Sequence, residues 1–329
     1  MKAMLTDDKQ NLCWTDVLDP VCRPDEVLVK IHAAALNRAD LLQRQGKYPS
    51  PPGCPSWMGL EISGEITKMG EEAEKCSRWQ IGDRVCALLG GGGYAEYAAV
   101  RYDMLMPVPK GLTMEEAAAL PEAYATSYLN LFWEGHLEAG QNVFIPAGAS
   151  GLASVAIPMA KAFGARVVTS VLSDEIAEKI RPLGADRIIN SAREDVAAVL
   201  AEEEAAGYPI HVSMDCLSGE TLGRSLPYMA RGGYWIVIST LDGTETTIPL
   251  RALLTKGLHL VGSMLRNRPP EKKAQILAEL VQKVWPKIEY GAIRHSIYCV
   301  LPIEQAEEAH RIMQSCTHTG KIVLTVSHT

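Results

Sequence analysis

Apolar residues follow two different rhythms along this 329-residue chain. In the first third they form short runs between glycine- and proline-rich turns, and residues 26–31, 60–67 and 83–88 read as strands. From about residue 113 the rhythm changes. Thr113 with Glu116 three positions on is a capping-box signal for a helix through 115–120, and a second helix is expected over 125–133. Val143, Phe144 and Ile145 make a short buried strand. Leu152, Val155, Ala156, Met159, Ala160 and Phe163 then recur at helical spacing, with Gly164 as the stop. Strand 166–170, a helix to Leu183, strand 187–190, an acidic helix over 194–205 and strands 211–215, 234–238 and 259–263 follow. Strands alternating with helices imply βαβ crossovers and one parallel sheet. After Pro269 and Pro270 come a helix over 271–285, two short strands and a helix over 304–314. The expected class is α/β, a doubly wound parallel sheet carried inside a β-rich unit.

Composition narrows the function classes. Hydrophobic content of 47% with 22% charged residues suits a soluble globular chain of two domains. A formal net charge of −7 without a basic run argues against nucleic acid as a partner. The N-terminal stretch lacks an apolar signal region, and no stretch is apolar for long enough to span a membrane. Ser327, His328 and Thr329 form no recognisable address signal. The eight cysteines (13, 22, 54, 76, 86, 216, 299 and 316) show no paired spacing, which points to free thiols in a reducing cytoplasm.

The stretch 143–165 carries the strongest candidate chemistry. Pro146, Ala147, Gly148, Ala149, Ser150 and Gly151 form a turn of small residues between a strand and a helix. Such a turn lets backbone approach a pyrophosphate, and the helix N-terminus offers free N–H groups. The G-x-x-G-x-x-S spacing departs from G-x-G-x-x-G, so a tight turn that only packs helix on sheet stays open as a reading. Pro158 inside the following helix predicts a kink. The proline-rich loop 48–53 reads as stiff and surface-exposed. The four glycines 90–93 are either a mobile linker or a place where something bulky meets the backbone.

Several segments together resemble the zinc-free quinone oxidoreductase branch of the medium-chain dehydrogenase/reductase superfamily. They are residues 35–41, 43–48, 58–61, 81–85, 120–123 and 320–324. The resemblance implies a GroES-like domain of residues 1–118 and 272–329, with a Rossmann dinucleotide-binding domain of 119–271 inserted in it. It implies no catalytic zinc, since Asn37 stands where zinc-dependent relatives place a cysteine and Leu60 where they place a histidine. It also implies metal-free hydride transfer from NADPH to a small quinone, and a homodimer extended through strands 234–238 and 259–263.

By the same resemblance, Asn37 and Tyr48 are the catalytic candidates. Thr126, Gly148, Ala149, Ser150, Gly151, Leu152, Ser173, Ser191, Cys216, Thr240, Leu241, Met264, Leu265, Arg266 and Lys321 are the cofactor contacts. Read from the residues alone, Asn37 is equally a helix N-cap and Tyr48 equally a loop anchor. NADPH-using relatives place a lysine at the Glu175 position and a tyrosine at the Ser191 position, so NADH is not excluded. Val171 stands where NADH-specific relatives place an acid. Reduction of enones or alkenals and a non-catalytic NAD(P)H sensor are the alternative functions.

Overall fold

The computed structural model describes every residue except Cys76, Ser77, His295, Thr317 and Thr329. Cys76 and Thr329, both named above, therefore lie outside the described residues; the other seven cysteines are unpaired thiols. The chain divides into two compact units. Unit 1 comprises Met1–Ala125, Arg266–Tyr290 and His295–Thr329, and unit 2 comprises Thr126–Leu265 and Gly291–Arg294.

Unit 1 begins with a hairpin of β1 (Lys2–Thr6) and β2 (Leu12–Asp16). Its main sheet uses β3 (Glu26–Ala35), β4 (Glu61–Met69), β5 (Arg84–Leu88), β6 (Tyr97–Arg101) and β7 (Leu105–Pro107). Two short helices interrupt it, α1 (Arg38–Arg44) and α2 (Glu71–Lys75). Strand β3 is the hub, paired with β4, β6 and the late strand of residues 321–325. Val27, Val29 and Ile31 are fully buried while their neighbours are partly exposed, the alternation expected of a half-buried strand.

The capping box is present: Glu116 donates its backbone N–H to Thr113 Oγ1, and Thr113 N–H donates to Glu116 Oε2. It opens α3 (Met114–Ala118). That helix stops before Leu120 because a residue ahead of proline is pushed out of the helical region. Pro121 then starts α4 (Pro121–Tyr128), which runs on as a π-helical turn, Leu129–Glu134. The start is earlier than the expected 125 because proline suits a first helical position.

Unit 2 contains β8 (Asn142–Ile145), α5 (Ala153–Ala162), β9 (Arg166–Val171), α6 (Asp174–Ile180), β10 (Arg187–Asn190), α7 (Val196–Ala205), β11 (Ile210–Asp215), α8 (Gly219–Ser225), β12 (Met229–Val237), α9 (Leu250–Lys256) and β13 (His259–Gly262). The six strands form one parallel sheet in the order β10-β9-β8-β11-β12-β13. The chain runs outward from β8 to β10 and then returns to β11, so its direction reverses between β8 and β11. Phe144, Val168, Ile189 and Trp235 of the sheet and Leu200 and Leu222 of α7 and α8 belong to one core cluster. Helix α5 is unbroken through Pro158.

The chain closes in unit 1 with α10 (Pro270–Lys283), α11 (Trp285–Glu289), β14 (Ile297–Pro302), α12 (Ala306–Ser315) and β15 (Lys321–Thr325). The two compact units divide at 125/126 and 265/266, with 291–294 also in unit 2, where the resemblance implies a division at 118/119 and 271/272. Tyr124 is buried and meets Trp285 edge-on at 6.0 Å. Arg266 is buried on partners of unit 1.

The four glycines 90–93 are a close approach, not a linker. A Cβ on Gly90 would lie 2.5 Å from Cys54 Sγ, one on Gly91 would lie 2.8 Å from Ser50 Oγ, and one on Gly92 would lie 2.7 Å from Pro55 Cγ. The bulky partner is the chain's own proline-rich loop.

His310 of α12 is fully buried, and neither ring nitrogen has a hydrogen-bond partner among the described residues. Burial lowers its pKa from 6.5 to about 4. The unfolded chain therefore takes up this proton at a higher pH than the folded one. Stability present above the unfolded value is lost as pH falls from 6.5 towards 4. We expect His310→Leu to remove that loss. Between pH 7 and pH 5 the wild type should lose about 2 kcal/mol more than the variant, read from urea midpoints. Equal losses would contradict the assignment.

Candidate active site

In unit 2 all six strands point the same way, so the loops after them line one edge of the sheet. Ser191 follows β10, Ser173 follows β9, and residues 146–152 follow β8. Cys216 follows β11, Thr240 and Leu241 follow β12, and Met264 and Leu265 follow β13. Residues spread over more than a hundred positions are thus gathered at the carboxyl edge, on either side of the reversal, which is where doubly wound sheets bind ligands.

The turn after β8 has the geometry of an anion cradle. Gly148 donates its N–H to Ser170 O at 2.8 Å, Ser150 donates to Ala147 O at 2.9 Å, and Ala153 donates to Ser150 Oγ at 3.1 Å. The N–H groups of Ala149, Gly151 and Leu152 have no protein acceptor among the described residues. They precede the ten-residue helix α5, so free donors and the positive end of a helix dipole coincide. Ala147 holds the turn with a positive φ of 55°. A Cβ on Gly148 would lie 2.5 Å from Thr169 Oγ1 and 2.8 Å from Ile180 Cδ1. Its missing side chain serves helix-against-strand packing as well as any ligand.

The loop after β11 is held by Asp215. Its Oδ1 accepts from the N–H groups of Leu217 and Ser218 at 2.8 and 2.9 Å, and its Oδ2 accepts from Trp235 Nε1 at 2.8 Å. Burial raises the Asp215 pKa against these three donors. Ser218 has φ 61°, and its hydroxyl donates to Ser239 O at 2.8 Å, which ties this loop to the one carrying Thr240.

In unit 1 the candidates fall into two clusters. Asn37, ahead of α1, donates from Nδ2 to Glu61 Oε1 at 2.9 Å and accepts at Oδ1 from Lys321 Nζ at 2.9 Å. The Lys321 ammonium also reaches Leu36 O and Glu61 Oε1, each at 2.7 Å. Glu61 Oε2 accepts from Glu122 N–H at 2.9 Å. Both ions are almost wholly buried, at 5% and 0% exposure, and every donor of the ammonium has an acceptor. The N-cap reading of Asn37 holds for its backbone: its N–H donates to Asp40 Oδ2 at 2.8 Å. Asp40 is itself fully buried, and desolvation lifts its pKa to about 6.

Tyr48 sits in the second cluster. The Arg266 guanidinium lies 4.5 Å from the centre of its ring. That guanidinium also donates to Gly90 O, Tyr48 O and Gln43 Oε1, at 2.6 to 3.2 Å. Tyr48 is half-buried, and burial raises its pKa against the nearby Arg266 charge, so the phenol is protonated at neutral pH. Arg266 and Lys321, which the resemblance groups with the cofactor, thus spend their charges inside unit 1. Thr126 lies in α4, and its carbonyl accepts from Asn130 Nδ2 at 2.7 Å. Gln43 and Glu61 were not among the expected site residues. A glutamate inside the apolar strand 60–67 was the one available signal for Glu61.

Two family models match the chain. "Alcohol dehydrogenase GroES-like domain" covers residues 23–110 and "Zinc-binding dehydrogenase" covers residues 151–283. A quinone oxidoreductase-like protein 2 homolog from Nematostella vectensis is 31% identical, over 91% of this chain and 81% of that one. The chain belongs to the medium-chain dehydrogenase/reductase superfamily. Its fold matches the quinone oxidoreductase of Escherichia coli complexed with NADPH, with TM-score 0.84, 25% identity and 98% of each chain covered. It also matches the quinone oxidoreductase of Thermus thermophilus, with TM-score 0.81, 29% identity, and 99% of this chain and 100% of that one covered. The expected α/β class, with a GroES-like unit and a Rossmann-like parallel sheet, is the fold observed, and the chain is an oxidoreductase of this superfamily.

A zinc ion does not fit the residues at Asn37. Leu60 offers no donor, and the Lys321 ammonium already lies against the oxygens of Asn37 and Glu61. A second cation there would face the first across a few ångströms. Among the described residues no cluster of three or more histidine, cysteine, aspartate or glutamate side chains is arranged to hold a metal. No described helix is long and apolar enough to cross a membrane.

Proposed function

We propose that the chain is a metal-independent quinone reductase that uses a nicotinamide dinucleotide. The observation that carries this reading is the set of three free N–H groups at Ala149, Gly151 and Leu152, at the carboxyl edge of a parallel sheet. They fit a pyrophosphate. Relatives named as quinone oxidoreductases, two of them solved with NADPH, support the acceptor class and the cofactor type.

When bound, the dinucleotide supplies a hydride, and a quinone that gains a hydride and one proton becomes a hydroquinone. The residues have binding and orienting work to do. Gly148 to Leu152 hold the pyrophosphate, and the loops carrying Ser173, Ser191, Cys216, Thr240, Leu241, Met264 and Leu265 line the rest of the dinucleotide. In unit 1 the Tyr48 phenol, protonated at neutral pH beneath the Arg266 guanidinium, is a donor suited to a quinone oxygen that gains charge. Asn37 has both amide atoms engaged by Glu61 and Lys321, so in unit 1 it is a fixed polar side chain rather than a free donor. A quinone is electron-poor enough to need no Lewis acid.

Steady-state oxidation of NADH and NADPH with 1,2-naphthoquinone, 1,4-benzoquinone and an enone tests this reading. Faster turnover with the quinones supports it. Turnover with the enone alone would assign the chain to enone reduction, and binding without turnover would make it a sensor. We also propose a homodimer. Strand β13 pairs only with β12 among the described residues, and it leaves His259, Leu260 and Gly262 exposed, an edge that a second copy would extend. Light scattering should give about twice the 35.8 kDa chain mass; a monomer at micromolar concentration would contradict it.

A further inference from the structure

The end of β9 carries a charge arrangement that the reading above does not use. Strand β9 is the second strand of the nucleotide-binding unit, and the groups just beyond it meet the adenosine ribose in this fold. NADPH and NADH differ only there, by a 2′-phosphate that carries up to two negative charges. Such a group is held by arginine, lysine and hydroxyl donors.

Beyond Val171 the chain offers the opposite. Ser173 caps α6, and its Oγ accepts the N–H of Ile176 at 3.2 Å. Ser191 Oγ donates to Val171 O at 3.0 Å, so its proton is already engaged. The first two residues of α6 are Asp174 and Glu175. Asp174 is fixed rather than free, since Oδ1 accepts from Asn190 Nδ2 at 2.6 Å and Oδ2 pairs with Arg193 at 2.5 Å. The nearby cations are already matched. Arg193 pairs with Asp174, Lys179 with Glu175 at 2.7 Å, Arg181 with Glu178, and Arg187 with Glu194. A phosphate would have to draw one of them from its carboxylate and sit among the acids left behind. A ribose 2′-hydroxyl has no such difficulty, because a carboxylate oxygen that already accepts one bond can accept another.

We propose that this chain takes NADH in preference to NADPH, and that Asp174, fixed by Asn190 and Arg193, and Glu175 set that preference. The inference rests on the reading that a nicotinamide dinucleotide binds unit 2. It separates this chain from the two solved relatives that hold NADPH.

Equilibrium titration of the full chain with NADH and with NADPH, followed by nicotinamide fluorescence, tests it without any acceptor. The dissociation constant for NADPH should be at least about tenfold the larger, the loss that follows when one charge-assisted contact is replaced by repulsion. Glu175→Lys alters an exposed side chain and should narrow the ratio by about tenfold. Glu175→Lys with Asp174→Ser should bring the two constants together or reverse their order. The wild-type gap should also shrink with added salt, because exposed carboxylates are screened within about 10 Å at 0.1 M. A merely structural role for these acids would not give that salt dependence. NADPH binding as tightly as NADH, or a ratio unmoved by both variants, would overturn this inference and leave the reductase reading intact. Binding of neither dinucleotide would overturn both.

Discussion

Replacing Lys321 by methionine is expected to destabilise the protein by about 3–5 kcal/mol, the cost of leaving a buried carboxylate without its cation. Glu61 is fully buried, and beside Lys321 it accepts from the Asn37 amide and the Glu122 N–H among the described residues. Neither carries charge. The double variant Lys321→Met with Glu61→Gln should recover most of the loss, because a neutral amide in place of the carboxylate removes the uncompensated ion. Urea unfolding of the wild type, both single variants and the double variant closes the cycle. If Lys321→Met costs under about 1 kcal/mol, or the double variant is no better than the single, the pair is not what holds Asn37 in place.

Gly148→Val should cost both stability and binding. The new side chain would begin 2.5 Å from Thr169 Oγ1 and 2.8 Å from Ile180 Cδ1. Thr169 cannot turn away cheaply, because its hydroxyl donates to Ile145 O at 2.6 Å inside a buried strand. Overpacking of this kind costs about 1–3 kcal/mol. Relief of the clash has to move the backbone of the turn, and Ala149, Gly151 and Leu152 move with it. Misaligning three donors should weaken dinucleotide affinity by about a hundredfold, near 1 kcal/mol for each hydrogen bond. A fluorescence titration showing wild-type affinity in the folded variant would mean that this turn does not hold the pyrophosphate.

Much of this fold was written in local pattern. The change from strand runs to alternating strand and helix after residue 113 located the parallel sheet. The turn 146–151 stood out as a run of small residues between a strand and a helix, a pattern that also suits a turn that only packs helix on sheet. What local pattern could not show is pairing across distance. Asn37 and Lys321 are 284 positions apart, and nothing in either neighbourhood announces the other. Arg266 looked like a residue trailing the last strand of the sheet, whereas its guanidinium is buried against Gln43, Tyr48 and Gly90. The glycines 90–93 had two readings of equal standing, and only the position of Ser50, Cys54 and Pro55 decides between them. Glu175 and Ser191 were legible as a departure from the NADPH-using pattern. The structure adds that Asp174 is pinned by Asn190 and Arg193, and that the hydroxyls of Ser173 and Ser191 are engaged.

The proposed hydride transfer to a quinone without a metal stands at the centre of this reading, and one assay addresses it. Oxidation of reduced nicotinamide dinucleotide by 1,4-benzoquinone is followed with the protein before and after exhaustive treatment with a strong zinc chelator. Turnover that the chelator leaves unchanged is the expected outcome. No oxidation with the quinone, or turnover lost on chelation and restored by added zinc, would contradict it.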